Sequence, residues 1–265
     1  MPLAFLPDTR LHYRLDGPGD GPALVLVHDL GGDLAMWDGL LPLLPAGLRV
    51  LRPDLRGHGG SDVPEAPYAM GALVRDAERL MDQLDLREAA VVGAGLGGMV
   101  ALALAVRRFD LVRGLVLTGT AARLGTEAQW AERIAQVRAG GMAAIYGGLA
   151  TRMFARAFRG SPAFEPWRAM ILATPPEGYA GCAAAVSGTD LYAPTAGLRL
   201  PALAIAGSED GITPPDLVRE TGALIPGSRF ALIRGAGHWP FAERPGAFAE
   251  ALAGFLTGIG HGPPG

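Results

Sequence analysis

The chain has 265 residues, a formal net charge of −3 and a hydrophobic content of 49%. This length suits one large α/β domain or two small ones, and the apolar content suffices for a sizeable core. Charged residues are spread along the chain, so no nucleic-acid partner is expected. No apolar run approaches the roughly 18 residues that a membrane span needs.

Two further features of composition narrow the possible chemistry. The N-terminus carries no signal-peptide pattern and Cys182 is the only cysteine, so we expect a cytoplasmic protein without an internal disulfide framework. Lysine is absent from the sequence, which excludes a lysine Schiff base and a Walker-type phosphate loop. No metal or organic cofactor is expected, and the partner we expect is a small-molecule substrate. The sequence does not indicate an oligomeric state.

Alternating strand and helix patterns predict a mostly parallel sheet with helices on both faces, formed by residues 1–120 and 196–258. In chain order, the patterns predict strands at 3–6, 11–15, 23–27, 49–54, 89–92, 115–119, 202–207 and 229–233, and helices at 70–84, 97–108, 215–224 and 246–257. Residues 121–195 interrupt this alternation with helical patterns only, which predicts an inserted helical cap. Residues 259–265 are predicted to form a disordered tail.

The stretch AAVVGAGLGGMVALALA, residues 89–105, runs from a predicted strand through a glycine-rich turn into a helix. It matches a dinucleotide-binding fingerprint through Gly93, Gly95 and Gly98. It also matches the G-x-S-x-G nucleophile elbow, with Gly95 in place of serine. A dinucleotide site requires an acidic residue about 20 positions later, and none is present there. The elbow is therefore the favoured interpretation.

Polar residues in distant segments support the elbow. The segment VHDLGGD (27–33) follows a buried strand, where an oxyanion loop belongs. Asp210 follows a late strand in AGSEDGITPP, and His238 follows the last strand in GAGHWPFAERP. Elbow, acid and histidine thus come in the chain order of α/β-hydrolases.

These motifs resemble those of α/β-hydrolases, and the resemblance covers nearly the whole chain. Within that superfamily the chain is similar to the 3-oxoadipate enol-lactone hydrolases. The similarity lies in RPDLRGHGGSDVP, VGAGLGGMVALALA and the cap stretch GTAARLGTEAQWAERIAQVRAGGM. The resemblance implies the α/β-hydrolase fold, with serine in the family at the position of Gly95 and a small residue in many members at the position of Asp29.

The resemblance also implies roles for the remaining site residues. The backbone N–H groups of Leu30 and Leu96 would stabilise an oxyanion, and Asp210 would orient His238 as a general base. We expect Gly95 to keep the turn and to vacate space for a water or a substrate atom. Asp29 is interpreted as a turn or capping residue, or alternatively as an extra acid, base or water-positioning group.

Cap residues give a further candidate contact with substrate. Trp130 and Arg133 lie in the cap stretch most like the lactonases. Helical spacing predicts that they pack within the protein, and the alternative for Arg133 is that it binds a substrate carboxylate. Cys182 is interpreted as a small buried group rather than as a replacement nucleophile. His28 and His58 are expected to shape their loops.

The functional hypothesis is an enzyme without a serine nucleophile that acts on a small lactone, ester or related carbonyl compound. Either hydrolysis by water or a rearrangement such as isomerisation, elimination or cyclisation is compatible with the residues. A non-catalytic ligand-binding or regulatory protein is the main alternative. A third possibility is that Gly95 is an engineered replacement of a natural serine.

Overall fold

Eight strands form one sheet in the structure, a computed structural model that describes residues 2–262. The strands are β1 (Leu3–Leu6), β2 (Thr9–Asp16), β3 (Ala23–Val27), β4 (Arg49–Pro53), β5 (Ala89–Ala94), β6 (Val112–Thr118), β7 (Ala202–Gly207) and β8 (Arg229–Ile233). They lie in the order β1-β2-β4-β3-β5-β6-β7-β8. The β1–β2 and β2–β4 pairs are antiparallel. The other neighbouring pairs, β4–β3, β3–β5, β5–β6, β6–β7 and β7–β8, are parallel.

Helices cover both faces of the sheet. They are α1 (Met70–Gln83), α2 (Leu96–Arg107), α3 (Glu127–Gly140), α4 (Ala143–Met153), α5 (Arg156–Arg159), α6 (Glu165–Ala173), α7 (Pro176–Ser187), α8 (Tyr192–Ala196), α9 (Pro215–Ala223), α10 (Pro240–Glu243) and α11 (Pro245–Gly258). Every residue of β3, β5 and β7 is buried. Continuous apolar runs of this kind form central strands because both faces of a parallel sheet are covered.

The observed fold confirms the predicted architecture, a mostly parallel sheet with helices on both faces. Between β6 and β7 the described residues form helices α3 to α8 and no strand. We call this stretch the helical insertion. Its first helix begins at a capping box, in which Thr126 and Gln129 bond each other's backbone N–H groups.

The C-terminal residues correct one expectation. The predicted disordered tail began at residue 259, but Ile259–Gly262 are described and continue from α11. His261 is buried, and its Nε2 lies 2.7 Å from the carbonyl oxygen of Ala23 at the start of β3. An imidazole bonded to a strand end fixes this segment, a contact that sequence periodicity does not reveal. Residues 263–265 lie outside the described residues.

The carboxyl ends of the parallel strands meet at one edge of the sheet. Asp29 follows β3, Gly95 follows β5, Asp210 follows β7 and His238 follows β8. In open α/β sheets, ligands bind outside the carboxyl ends of the strands. Residues that are far apart in the sequence thereby come together.

Candidate active site

Gly95 occupies a sharp turn between β5 and α2. Its backbone angles are φ +49° and ψ −114°, a region that non-glycine residues adopt only under strain. Gly97, two residues further, packs against β3, and a Cβ there would overlap the carbonyl oxygen of Val27. The repeated glycines therefore let the turn form and let α2 approach the sheet closely.

The carboxylate of Asp29 fills the space beside Gly95. A Cβ placed on Gly95 would overlap Oδ1 and Cγ of Asp29 and would come within 2.6 Å of its Oδ2. The expectation that Gly95 leaves room for a water or a substrate atom is therefore wrong. The reason is tertiary, since the loop after β3 places its acidic side chain where an elbow side chain would begin.

Two backbone N–H groups bind the same oxygen of this carboxylate. Leu30 and Leu96 donate hydrogen bonds to Asp29 Oδ1 over 2.7 and 2.9 Å. These are the donors that the resemblance assigns to an oxyanion. In this structure they bind a negative charge that belongs to the protein itself.

His238 lies between two carboxylates. Its Nδ1 is 2.8 Å from Asp210 Oδ2, and its Nε2 is 3.1 Å from Asp29 Oδ2. Asp210 is held in turn by the backbone N–H groups of Ile212 and Thr213 and by the Thr213 hydroxyl, which donates over 2.7 Å. All three ionisable side chains are buried.

These contacts set the charge of His238. Burial by itself would lower the pKa of His238, but the charges and hydrogen bonds of Asp210 and Asp29 outweigh it and raise that pKa to about 10. Burial likewise opposes ionisation of Asp29, yet its bonds to His238, Trp239 and Leu96 lower its pKa. The resting site is thus an imidazolium between two carboxylates, and His238 can accept a proton only after Asp29 loses its charge or its contact.

Two other histidines hold the loop after β3. His28 Nε2 accepts a hydrogen bond from the N–H of Leu55, and His58 Nε2 accepts one from Gly31. Burial and the nearby His28 lower the pKa of His58 to about 3, so this ring is neutral and able to accept. Both rings therefore hold the loop that carries Asp29 in place.

A cavity of about 300 Å³ opens above this group. Its lining includes Asp29, Gly95, Leu96 and His238 from the sheet edge, together with residues of the helical insertion. Among residues 2–262, the lining contains no serine, threonine or cysteine. A serine, threonine or cysteine nucleophile is therefore missing from the described part of this cavity, and Tyr179 is its only residue with a side-chain hydroxyl.

Trp130 and Arg133 also line the cavity. The Arg133 guanidinium lies 5.0 Å from the centre of the Trp130 ring, and the Trp130 indole N–H donates to the carbonyl oxygen of Leu124. The aromatic ring thus positions a cation at the cavity wall. Both residues occupy a place from which they can contact a bound molecule.

A family model described as alpha/beta hydrolase fold matches residues 22–245 of the chain. The chain belongs to this family. The 3-oxoadipate enol-lactonase 1 of Acinetobacter baylyi is 30% identical over 251 residues, which cover 94% of each chain. The relatives therefore include an enzyme named for the hydrolysis of an enol-lactone.

Solved structures give the same result. An enol-lactonase from Burkholderia xenovorans has 36% identity and a TM-score of 0.93, with 97% of this chain and 100% of that chain covered. A hydrolase from Pseudomonas aeruginosa has 41% identity and a TM-score of 0.91, with 96% and 98% covered. Both solved enzymes are thus similar to this α/β-hydrolase-family chain along almost its entire length.

Sequence reasoning missed two polar contacts in this α/β-hydrolase. The Trp239 indole N–H donates to Asp29 Oδ2 over 2.8 Å, and Thr213 bonds Asp210 as described above. The only sequence signal for Trp239 was its position directly after His238. Cys182 is absent from the cavity lining, and burial raises the pKa of its thiol, so it remains a small buried group.

Two kinds of feature are absent from the part of the chain that the structure describes. No group of three or more His, Cys, Asp or Glu side chains is arranged to hold a metal ion. None of the helices between residues 2 and 262 has the length and apolarity to span a membrane.

Proposed function

We propose that this chain hydrolyses small lactones or esters without a serine nucleophile, through Asp29, His238 and Asp210. The observation that carries the proposal is the position of the Asp29 carboxylate. It is bonded at once to the two N–H donors and to His238, and it faces the cavity. The similarity to enol-lactonases supports a lactone or ester as the substrate class.

The proposed chemistry uses proton transfer by His238. Asp210 holds Nδ1 of the ring, which leaves Nε2 directed at Asp29 and the cavity. From that position the imidazolium can give a proton to a leaving group, and the imidazole can take one from water once Asp29 has lost its charge or its contact. The Leu30 and Leu96 N–H groups would stabilise negative charge on the oxygen that they bind, which in the resting site is Asp29 Oδ1.

Arg133 is the proposed contact for an anionic substrate. Its guanidinium is fixed by Trp130 at the cavity wall and has the geometry that carboxylates bind. A substrate that carries both a carboxylate and an ester or lactone group would bind Arg133 and present its reactive group to His238. The cavity volume suits a small molecule of this kind.

The test is the turnover of a panel of small lactones and esters, including an enol-lactone, by the wild-type protein and two site variants. We expect Asp29→Asn and His238→Ala each to reduce turnover by a factor on the order of 10³ or more. Asp33→Asn is the matched control on the same loop, because asparagine keeps its capping bond to the N–H of Ala35. His261→Gln is a control at a buried histidine on the opposite edge of the sheet.

The panel also separates the alternatives. An isomerised or cyclised product formed without uptake of water would support a rearrangement enzyme. Binding of panel members without any turnover would support a ligand-binding protein. The close fit between Gly95 and Asp29 favours two residues that belong together over an engineered change at a single position.

A further inference from the structure

The Asp29 carboxylate has the surroundings of a nucleophile rather than of a capping group. Its Oδ1 is bonded to two backbone N–H groups, and its Oδ2 is bonded to His238 and to the Trp239 indole. Asp29 lines the cavity, and a side chain at Gly95 would occupy the space of its carboxylate. A turn or cap would need only one of these contacts.

We infer that Asp29 is the nucleophile of the proposed hydrolase and that it attacks a saturated carbon of the substrate, with an Asp29 ester as the intermediate. The inference rests on the proposed function and adds the bond that is cleaved. A lactone or an ester whose ring or ester oxygen is attached to a saturated carbon would break at its alkyl–oxygen bond instead of its acyl–oxygen bond. An enol-lactone, whose ring oxygen is attached to an unsaturated carbon, does not react in this way.

The N–H donors of Leu30 and Leu96 favour cleavage of the alkyl–oxygen bond over the acyl–oxygen bond, because Asp29 already occupies them. Attack at a carbonyl carbon places negative charge on the carbonyl oxygen of the substrate, which then needs N–H donors. The Leu30 and Leu96 donors are already bonded to Asp29 Oδ1. Attack at a saturated carbon forms no tetrahedral oxyanion, because the electron pair leaves on a carboxylate that shares its charge between two oxygens.

In the first step a lone pair of Asp29 Oδ2 forms a bond to the alkyl carbon. The bond from that carbon to the ring or ester oxygen breaks, and its electron pair stays on the departing oxygen. The substrate becomes a carboxylate, and Asp29 becomes a neutral ester. The total charge is unchanged, because one carboxylate is consumed and another is formed.

In the second step water attacks Cγ of the Asp29 ester. His238, which releases its resting proton to solvent once the ester has formed, takes one proton of the attacking water. Oδ1 becomes an oxyanion in contact with the two N–H donors that already hold it. The bond from Cγ to Oδ2 then breaks, the departing alkoxide takes the proton from His238, and Asp29 returns its remaining proton to the imidazole.

The charge of the site supports this order of events. Asp29 is one of the two carboxylates that raise the pKa of His238, so ester formation removes one cause of that raised pKa. Only Asp210 then stabilises the imidazolium. The first step thereby prepares His238 to act as the base of the second step.

The position of the incoming oxygen tests the inference. Every lactone and ester that the enzyme turns over and that carries a saturated carbon on its ring or ester oxygen is hydrolysed in water labelled with heavy oxygen. We expect the label to appear first in Asp29, as found by mass spectrometry of its peptide, and then in the product alcohol. Label in the product acid, with none in Asp29, would overturn the inference and leave the proposed hydrolase intact.

Stereochemistry gives a second reading on the same enzyme. Alkyl–oxygen cleavage of (R)-β-butyrolactone by Asp29 inverts the substituted carbon and yields (S)-3-hydroxybutyrate, whereas acyl–oxygen cleavage yields the (R) acid. The rates measured without enzyme and with Asp29→Asn are subtracted from the wild-type rate of formation of each enantiomer. Asp33→Asn is expected to behave as the wild-type protein. Retained configuration contradicts the inference, and a panel without any enzyme-dependent turnover overturns the proposed function with it.

A trapping variant adds direct detection. His238→Gln removes the base of the second step, so we expect the Asp29 peptide to gain the full mass of the lactone. The labelling of Asp29 in the wild-type protein does not depend on this variant. The inference therefore remains testable if His238→Gln fails to fold.

Discussion

Substitution of Gly95 by serine tests how far Gly95 and Asp29 depend on each other. Cβ atoms essentially never approach a heavy atom closer than 3.0 Å, and a Cβ at this position would overlap Asp29 Oδ1. Gly95→Ser must therefore displace the Asp29 carboxylate from its two N–H donors and from His238. Each hydrogen bond to a charged group contributes about 1.5–3 kcal/mol, and positive φ at a non-glycine residue costs roughly 1–3 kcal/mol.

Water in the cavity can replace part of the lost bonds, so we expect Gly95→Ser to lower the free energy of unfolding by about 4 kcal/mol. In an Asp29→Ala background the overlap is absent, and the same substitution should cost only the backbone contribution of roughly 1–3 kcal/mol. Urea unfolding of the four proteins in the double-mutant cycle measures the difference. Costs that add within about 0.5 kcal/mol would refute the reasoning, since they would mean that the two side chains do not share this space.

The same pair of substitutions should change the chemistry. Gly95→Ser with Asp29→Ala places a hydroxyl at the elbow beside His238 and frees the two N–H donors. We expect this double variant to hydrolyse small esters with heavy oxygen entering the product acid, which is the pattern of acyl cleavage by serine. The Asp29→Ala single variant is the control and should lack this activity.

Three further predictions concern the groups around the site. The folded pKa of His238 near 10 lies above the ordinary value of 6.5, so the stabilisation that its proton provides is complete below about pH 6.5 and is lost as the pH rises toward 10. The imidazole NMR signals of His238 should therefore titrate near pH 10, and in Asp29→Asn they should titrate at a lower pH. Titration near pH 6.5 in the wild-type protein would contradict the ion pair. Glu243 accepts two buried backbone N–H bonds that join the His238 loop to the helical insertion, so Glu243→Ala should cost about 2–4 kcal/mol in urea unfolding, with a cost under about 0.5 kcal/mol as the contrary result. Thr213→Val removes the hydroxyl that bonds Asp210 and should destabilise the protein by about 1 kcal/mol and lower kcat more than it changes KM; an unchanged kcat would exclude a positioning role.

The order of elements followed closely from the sequence because each element has a local signal. Continuous apolar runs at 23–27 and 202–207 coincide with β3 and β7. Glycines at the elbow mark the turn after β5, since the required backbone angles and the close packing of α2 permit little else. The chain order of Asp210 and His238 also identified the loops that carry them.

Only the tertiary structure decided the contacts of Asp29. Its position two residues after β3 is compatible with a turn or a cap, and nothing local indicates that its side chain crosses to Gly95. Contacts of Asp29 with Leu96 and Trp239 span 67 and 210 residues, and the charge of His238 depends on two carboxylates from different loops. Sequence patterns report which backbone segments form strands and helices, whereas side-chain contacts between loops and the resulting pKa values depend on distances that exist only in the folded chain.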